Sequence, residues 1–135
     1  MNDPELMKLA AEARKNAYAP YSGFLVGAAL LTEDGRVYTG CNIENAAYSP
    51  TNCAERTAFF KAVSEGARTF AAIAVVGGKG EMPDAFCAPC GVCRQVMAEF
   101  CGPDFRVLLG TEEQFTVYTL NRLLPHSFSL NNGEG

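Results

Sequence analysis

Apolar residues recur at helical spacing near the start of the chain. Leu6, Leu9, Ala10, Ala13 and Ala17 fall on one helix face. Asp3-Pro4 opens that helix as N-cap and first-turn proline, and Ala19-Pro20-Tyr21-Ser22-Gly23 breaks it. Phe24 to Leu31 is almost continuously apolar and reads as a buried strand. Asp34-Gly35 is a two-residue hairpin signal, and Arg36 to Cys41 is the return strand. Asn42 to Asn52 is polar, carries Pro50 and reads as a loop. A helix follows from Cys53 to Glu65, with Gly66 as its stop. Ala71 to Val76 is a second buried strand, and Gly77 to Pro89 a loop. Cys90 to Phe100 is a helix stopped by Gly102-Pro103. Phe105 to Leu109 and Phe115 to Tyr118 are strands, and a short helical turn follows over Asn121 to Leu124. The pattern predicts an α/β fold: a three-layer α/β/α sandwich around a mixed five-stranded sheet.

The chain has 135 residues, which predicts a single domain over 1–135. Hydrophobic residues make up 48% and charged residues 19%, a composition that folds rather than stays disordered. The formal net charge of −4 argues against a protein that holds nucleic acid by neutralising phosphates. No apolar run approaches the roughly 18 to 20 residues of a membrane helix. The charged N-terminal stretch lacks the apolar core of a secretory signal, so a cytoplasmic protein with no membrane partner is expected. In that compartment thiols stay reduced. The six cysteines, at 41, 53, 87, 90, 93 and 101, therefore point to metal or catalysis rather than disulfides. His126 is the only histidine, which excludes chemistry built on two or three of them.

Cys90-Gly91-Val92-Cys93 puts two thiols on one face at a helix start. Cys53 opens the other helix, 37 residues earlier (90 − 53). Helix N-termini carry positive partial charge and favour thiolates. Two converging helix starts would deliver three thiolates to one point, the pattern of a catalytic zinc with an open fourth position. Glu55 follows two residues after Cys53, on the face that Ala58, Phe59 and Ala62 make apolar. It is thus predicted to be buried beside the metal.

Cys53-Ala54-Glu55 with Pro89-Cys90-Gly91-Val92-Cys93 resembles the zinc-dependent nucleoside and nucleobase deaminases. Cys41 to Tyr48, Cys53 to Ala58 and Pro89 to Val96, in that order, resemble cytidine deaminases of the short, tetrameric type. The resemblance runs from Tyr21 to Phe128. It implies hydrolytic deamination of cytidine and 2′-deoxycytidine, with one zinc per subunit on Cys53, Cys90 and Cys93. It implies Glu55 as proton shuttle and Phe24 as the stacking ring under the pyrimidine. Asn42 and Glu44 would bind the ribose hydroxyls, and backbone at Ala54 and Pro89 the base edge. Ala46, Tyr48 and Phe128 would complete neighbouring sites in a homotetramer. Arg56 and Gln95 would hydrogen-bond the thiolates.

Other readings stay open on the sequence. A deaminase acting on a base in RNA or DNA, or on a nucleoside antibiotic, is a second. A closed structural zinc or iron–sulfur module using Cys87 as a further ligand is a third. Cys87-x-x-Cys90-x-x-Cys93 begins like a ferredoxin run, but Met97 stands where that run needs its next cysteine. As a fourth zinc ligand Cys87 would require the turn at Pro89 to fold back, so it is expected to be a non-ligand thiol, and Cys41 and Cys101 small buried side chains. His126 is expected to be exposed and without a role.

Overall fold

The computed structural model describes residues 1–80, 83 and 87–130. The elements in chain order are α1 (Asp3–Arg14), β1 (Phe24–Thr32), β2 (Val37–Cys41), α2 (Ala54–Ser64) and β3 (Phe70–Lys79). Then follow α3 (Gly91–Phe100), β4 (Arg106–Gly110), β5 (Phe115–Thr119) and α4 (Leu120–Leu123). The strands form one sheet in the order β2-β1-β3-β4-β5. Only β3 and β4 run parallel; the other three pairings are antiparallel. The sheet is mixed and five-stranded, as expected.

Strand alternation divides the core in two. Val26, Ala28 and Leu30 of β1, Ile73 and Val75 of β3, and Val107 and Leu109 of β4 face a cluster that includes Ala58, Phe59 and Ala62 of α2 and Met97 of α3. Ala29, Ala72, Ala74, Val76 and Leu108 face the other way, against Leu6, Met7 and Ala10 of α1. Helices thus cover both faces, giving the three layers. Phe59 is the hub of the larger cluster. Its ring centroid lies 5.1 Å from that of Phe70 and 6.1 Å from those of Phe100 and Phe105. One turn before it on α2 stands Glu55, so the packing of Phe59 fixes where Glu55 points.

Several boundaries move. The first helix is capped by Asn2, not Asp3. The Asn2 side chain accepts from the Glu5 N–H at 2.8 Å, and the Glu5 carboxylate accepts from the Asn2 N–H at 2.9 Å. This reciprocal pair satisfies two helix-start donors, which Asp3 as cap would not. The helix stops at Arg14, short of Ala17, and Tyr18 instead pairs with Ile43. Strand β3 runs on to Lys79, through residues expected to be loop. Gly77 and Gly78 stay in the ladder opposite Val26 and Leu25. They read as turn residues, but the bare backbone of Gly77 serves close packing against Cys87 and Phe24 instead.

Candidate active site

The loop between β2 and α2 is folded back on itself. Ile43 and Asn52 exchange backbone hydrogen bonds of 3.0 and 2.9 Å. That closure brings Cys53 beside Asn42 and Glu44. Cys53 is the N-cap of α2, and Cys90 the N-cap of α3. Pro89 is fully buried, and its carbonyl accepts from Arg94 Nε at 2.8 Å. Arg94 also donates to the Leu123 carbonyl at 2.6 Å, so α3 holds its own entry turn against α4. Arg94 was not singled out in the sequence, because both its acceptors are backbone groups.

The three thiols converge. Cys53, Cys90 and Cys93 have sulfurs within 4.8 Å of one another. Cys53 and Cys90 are 3.8 Å apart, and Cys90 and Cys93 3.5 Å. A tetrahedral zinc with Zn–S near 2.3 Å holds its sulfurs about 3.8 Å apart. Arg56 Nη2 donates to Cys53 Sγ at 3.2 Å, and Arg56 Nε is buried with no hydrogen-bond partner among the described residues. A guanidinium placed so is explained by concentrated negative charge on the sulfurs. The donor set and its surroundings fit zinc. A hydrogen bond from the Cys93 thiol, then one from Arg56, pull Cys53 down to about 5. The same Cys53–Cys93 bond, with burial, holds Cys93 far above the usual thiol range.

Glu55 is 4% exposed. Burial pushes its carboxyl up to about 7, with the Cys53 thiolate adding to the rise. It lines a cavity of about 180 Å³ with Val26, Asn42, Glu44, Cys53, Cys87 and Cys90 among its walls. Glu55 is therefore a buried carboxyl with its pKa raised to about 7, in one cavity with Cys53 and Cys90.

The expected substrate contacts divide into fixed and exposed groups. Asn42 spends its amide on β1, accepting from Val26 N–H and donating to the Phe24 carbonyl, each at 2.9 Å. Glu44 accepts from the N–H groups of Tyr21 and Ser22 at 2.9 and 3.2 Å, and from the Ser22 hydroxyl at 2.5 Å. The Ser22 hydroxyl holds its carboxyl below the usual range, so it stays an ionised acceptor. Phe24 is half-buried against the larger cluster, and Ala54 is buried at the start of α2. Ala46, Tyr48 and Phe128 are exposed, Tyr48 in the left-handed region at φ 65°. Gln95 departs from expectation. Its Nε2 donates to the Phe128 carbonyl at 3.1 Å rather than to a sulfur. From the second turn of α3 it reaches the C-terminal segment instead of the thiols.

Cys87 is no member of the thiol cluster among the described residues. Its sulfur sits where a Cβ on Gly77 would lie, 2.8 Å from that position, with the Phe24 ring edge at 3.1 Å. Burial, then the charges of Glu55 and Cys53, raise its thiol to about 11. It is a neutral wall group of the cavity. Cys41 and Cys101 are half-buried and His126 is exposed.

An α/β/α sheet with a three-thiol centre on two helix starts and a buried carboxyl beside it defines the class of zinc deaminases acting on amino-bearing rings. The comparisons name the family within that class. The family model for the cytidine and deoxycytidylate deaminase zinc-binding region matches residues 1–109. A cytidine deaminase of Sporosarcina psychrophila is 56% identical over 133 residues, 96% of this chain and 93% of that protein. One of Halalkalibacterium halodurans is 53% identical over 131 residues, 96% of each chain. The crystal structure of cytidine deaminase from Burkholderia pseudomallei superposes with a TM-score of 0.87 at 50% identity, over 95% of this chain and all of that one. The chain belongs to the cytidine and deoxycytidylate deaminase family.

Proposed function

We propose that this protein hydrolyses cytidine and 2′-deoxycytidine to uridine and 2′-deoxyuridine, releasing ammonia. The observation that carries the reading is Glu55, buried in one cavity with the three-thiol cluster and poised near neutral pH. Cys53, Cys90 and Cys93 would hold zinc, which when bound lowers the pKa of a water from 15.7 to about 7. Glu55 takes a proton from the attacking water and gives it to N3 of the base. It then takes the second proton, from the hydroxyl now on C4, and delivers it to the amine, which leaves as ammonia. Such acid–base help is worth about 10²–10⁴ in rate. Arg56 offsets the surplus negative charge of three thiolates.

Phe24 stacks on the pyrimidine. Asn42 and Glu44, both locked by their own hydrogen bonds, present their remaining capacity to the ribose hydroxyls. The Ala54 N–H, at a helix start without an intrahelical acceptor, and the second lone pair of the Pro89 carbonyl meet the base edge. Ala46, Tyr48 and Phe128 complete sites of neighbouring subunits in a homotetramer, which accounts for aromatic rings left 77% and 67% exposed at Tyr48 and Phe128. Residues 1–135 form one domain, acting in the cytoplasm on salvaged pyrimidine nucleosides. A polynucleotide substrate is disfavoured by the net charge of −4.

The test is the ultraviolet spectrum of cytidine mixed with zinc-loaded protein. Conversion to uridine is expected. Glu55→Gln should keep one zinc per chain and lose turnover by about 10²-fold or more. Normal turnover in that variant would remove Glu55 from the mechanism, and an inert wild type would remove cytidine as substrate.

A further inference from the structure

Arg14, the last residue of α1, is 4% exposed, and the deamination chemistry makes no use of it. Its Nε donates to the Leu25 carbonyl at 3.0 Å. Its Nη2 donates to the carbonyls of Gly78 and Gly80 at 2.6 and 2.7 Å. The helix comes close enough because Gly27 has no side chain; a Cβ there would run into the Ala10 carbonyl and the Arg14 backbone. Leu25 and Gly78 are register partners of the β1–β3 ladder. A single guanidinium therefore ties both strands at one cross-strand pair.

That pair is the back of the substrate cavity. Alternation turns the side chains of Phe24 and Val26 to the face opposite Leu25. Val26 lines the cavity, and Phe24 packs into the cluster on that side. The partner of Val26 is Gly77, the seat of Cys87, which also lines the cavity. Phe24, Val26 and Gly77 are immediate neighbours of the peptide units that Arg14 pins, and Cys87 packs on Gly77.

We infer that Arg14 is a positioning residue for the substrate wall. It braces the β1–β3 end from behind the sheet, so that Phe24, Val26 and Cys87 stand at a fixed depth. The inference deepens the deaminase reading and rests on it. Among the described residues Arg14 is neither in the cavity lining nor in the thiol cluster; it acts through the Leu25 and Gly78 peptides. The planar fork matters more than the charge, since one ammonium on a flexible stem cannot hold the carbonyls of both strands in the same geometry.

The experiment compares zinc-loaded wild type, Arg14→Lys and Arg14→Gln in steady-state kinetics on cytidine, with zinc content and amide hydrogen exchange on the same samples. Arg14→Gln should raise KM on the order of tenfold, and Arg14→Lys about threefold, with kcat within about twofold. Zinc should stay at one per chain, and exchange at the Val26 and Gly77 amides should quicken while that of α2 does not. Unchanged KM in a folded Arg14→Lys overturns the inference, whatever becomes of Arg14→Gln. So does a loss confined to the amount of active enzyme, the mark of a stability role alone. A wild type that leaves cytidine intact overturns the deaminase reading and this inference together.

Discussion

At the residue scale, Arg56 sets a guanidinium against the thiol cluster. Three thiolates leave a formal charge of −1 on a zinc site and blunt its acidity. Arg56 draws on that charge through its bond to Cys53, and its own proton is held more tightly for it. Arg56→Ala should keep the fold and weaken zinc affinity or turnover by about 10–100-fold, read by metal content and initial rates. Unchanged values in both would show that the helix starts alone balance the thiolates. The thiol cluster and the burial of Glu55 were legible in the sequence because their relations are local, each residue lying within three of a helix cap; the contact of Arg56 with Cys53 was legible only through the family resemblance. Gln95 was not, because its acceptor is the Phe128 carbonyl, 33 residues away. That Cys87 stays outside the thiol cluster was legible from the turn at Pro89 between it and Cys90. Its seat over Gly77 was not, since that contact is made between a strand end and a loop.

At the element scale, the site depends on how closely α2 lies on the sheet. Gly40 of β2 is buried beneath the first turns of that helix. A Cβ there would lie 2.6 Å from the Ala54 carbonyl and from the Ala58 N–H nitrogen. Both neighbours are helix backbone, so the whole start of α2 must lift. Gly40→Ala should cost about 1–3 kcal/mol of stability, measured by denaturant unfolding. It should also weaken zinc binding, because Cys53 and Glu55 ride on the displaced turn. Normal zinc affinity in a destabilised Gly40→Ala would show that the loop from 42 to 52 holds Cys53 by itself. Periodicity and turn signals placed the nine elements of the described residues in the right order. It missed ends where a side chain, not the pattern, decides: the Asn2–Glu5 reciprocal cap, and the extension of β3 through Gly77 and Gly78.

At the scale of the whole molecule, the metal is an addition to a finished core. The two apolar clusters on either face of the sheet contain none of Cys53, Cys90 and Cys93. A chain of this length buries enough surface to fold without staples. Chelation should therefore leave a cooperatively folded protein whose Tm is lower on the order of 10 °C, by calorimetry with and without zinc. Loss of the cooperative transition on chelation would make the metal part of the core after all. The α/β/α layering was legible from element order, whereas the position of β3 at the centre of the sheet is set by pairings the pattern does not encode. The distance along the chain between the ligands has a kinetic consequence. Cys53 leaves the ribosome 37 residues ahead of Cys90, with β3 still to be laid between them. The centre is thus a late closure, made after the strands that bring it together. Zinc should act as a latch on the finished fold, slowing its unfolding while leaving the refolding rate nearly unchanged.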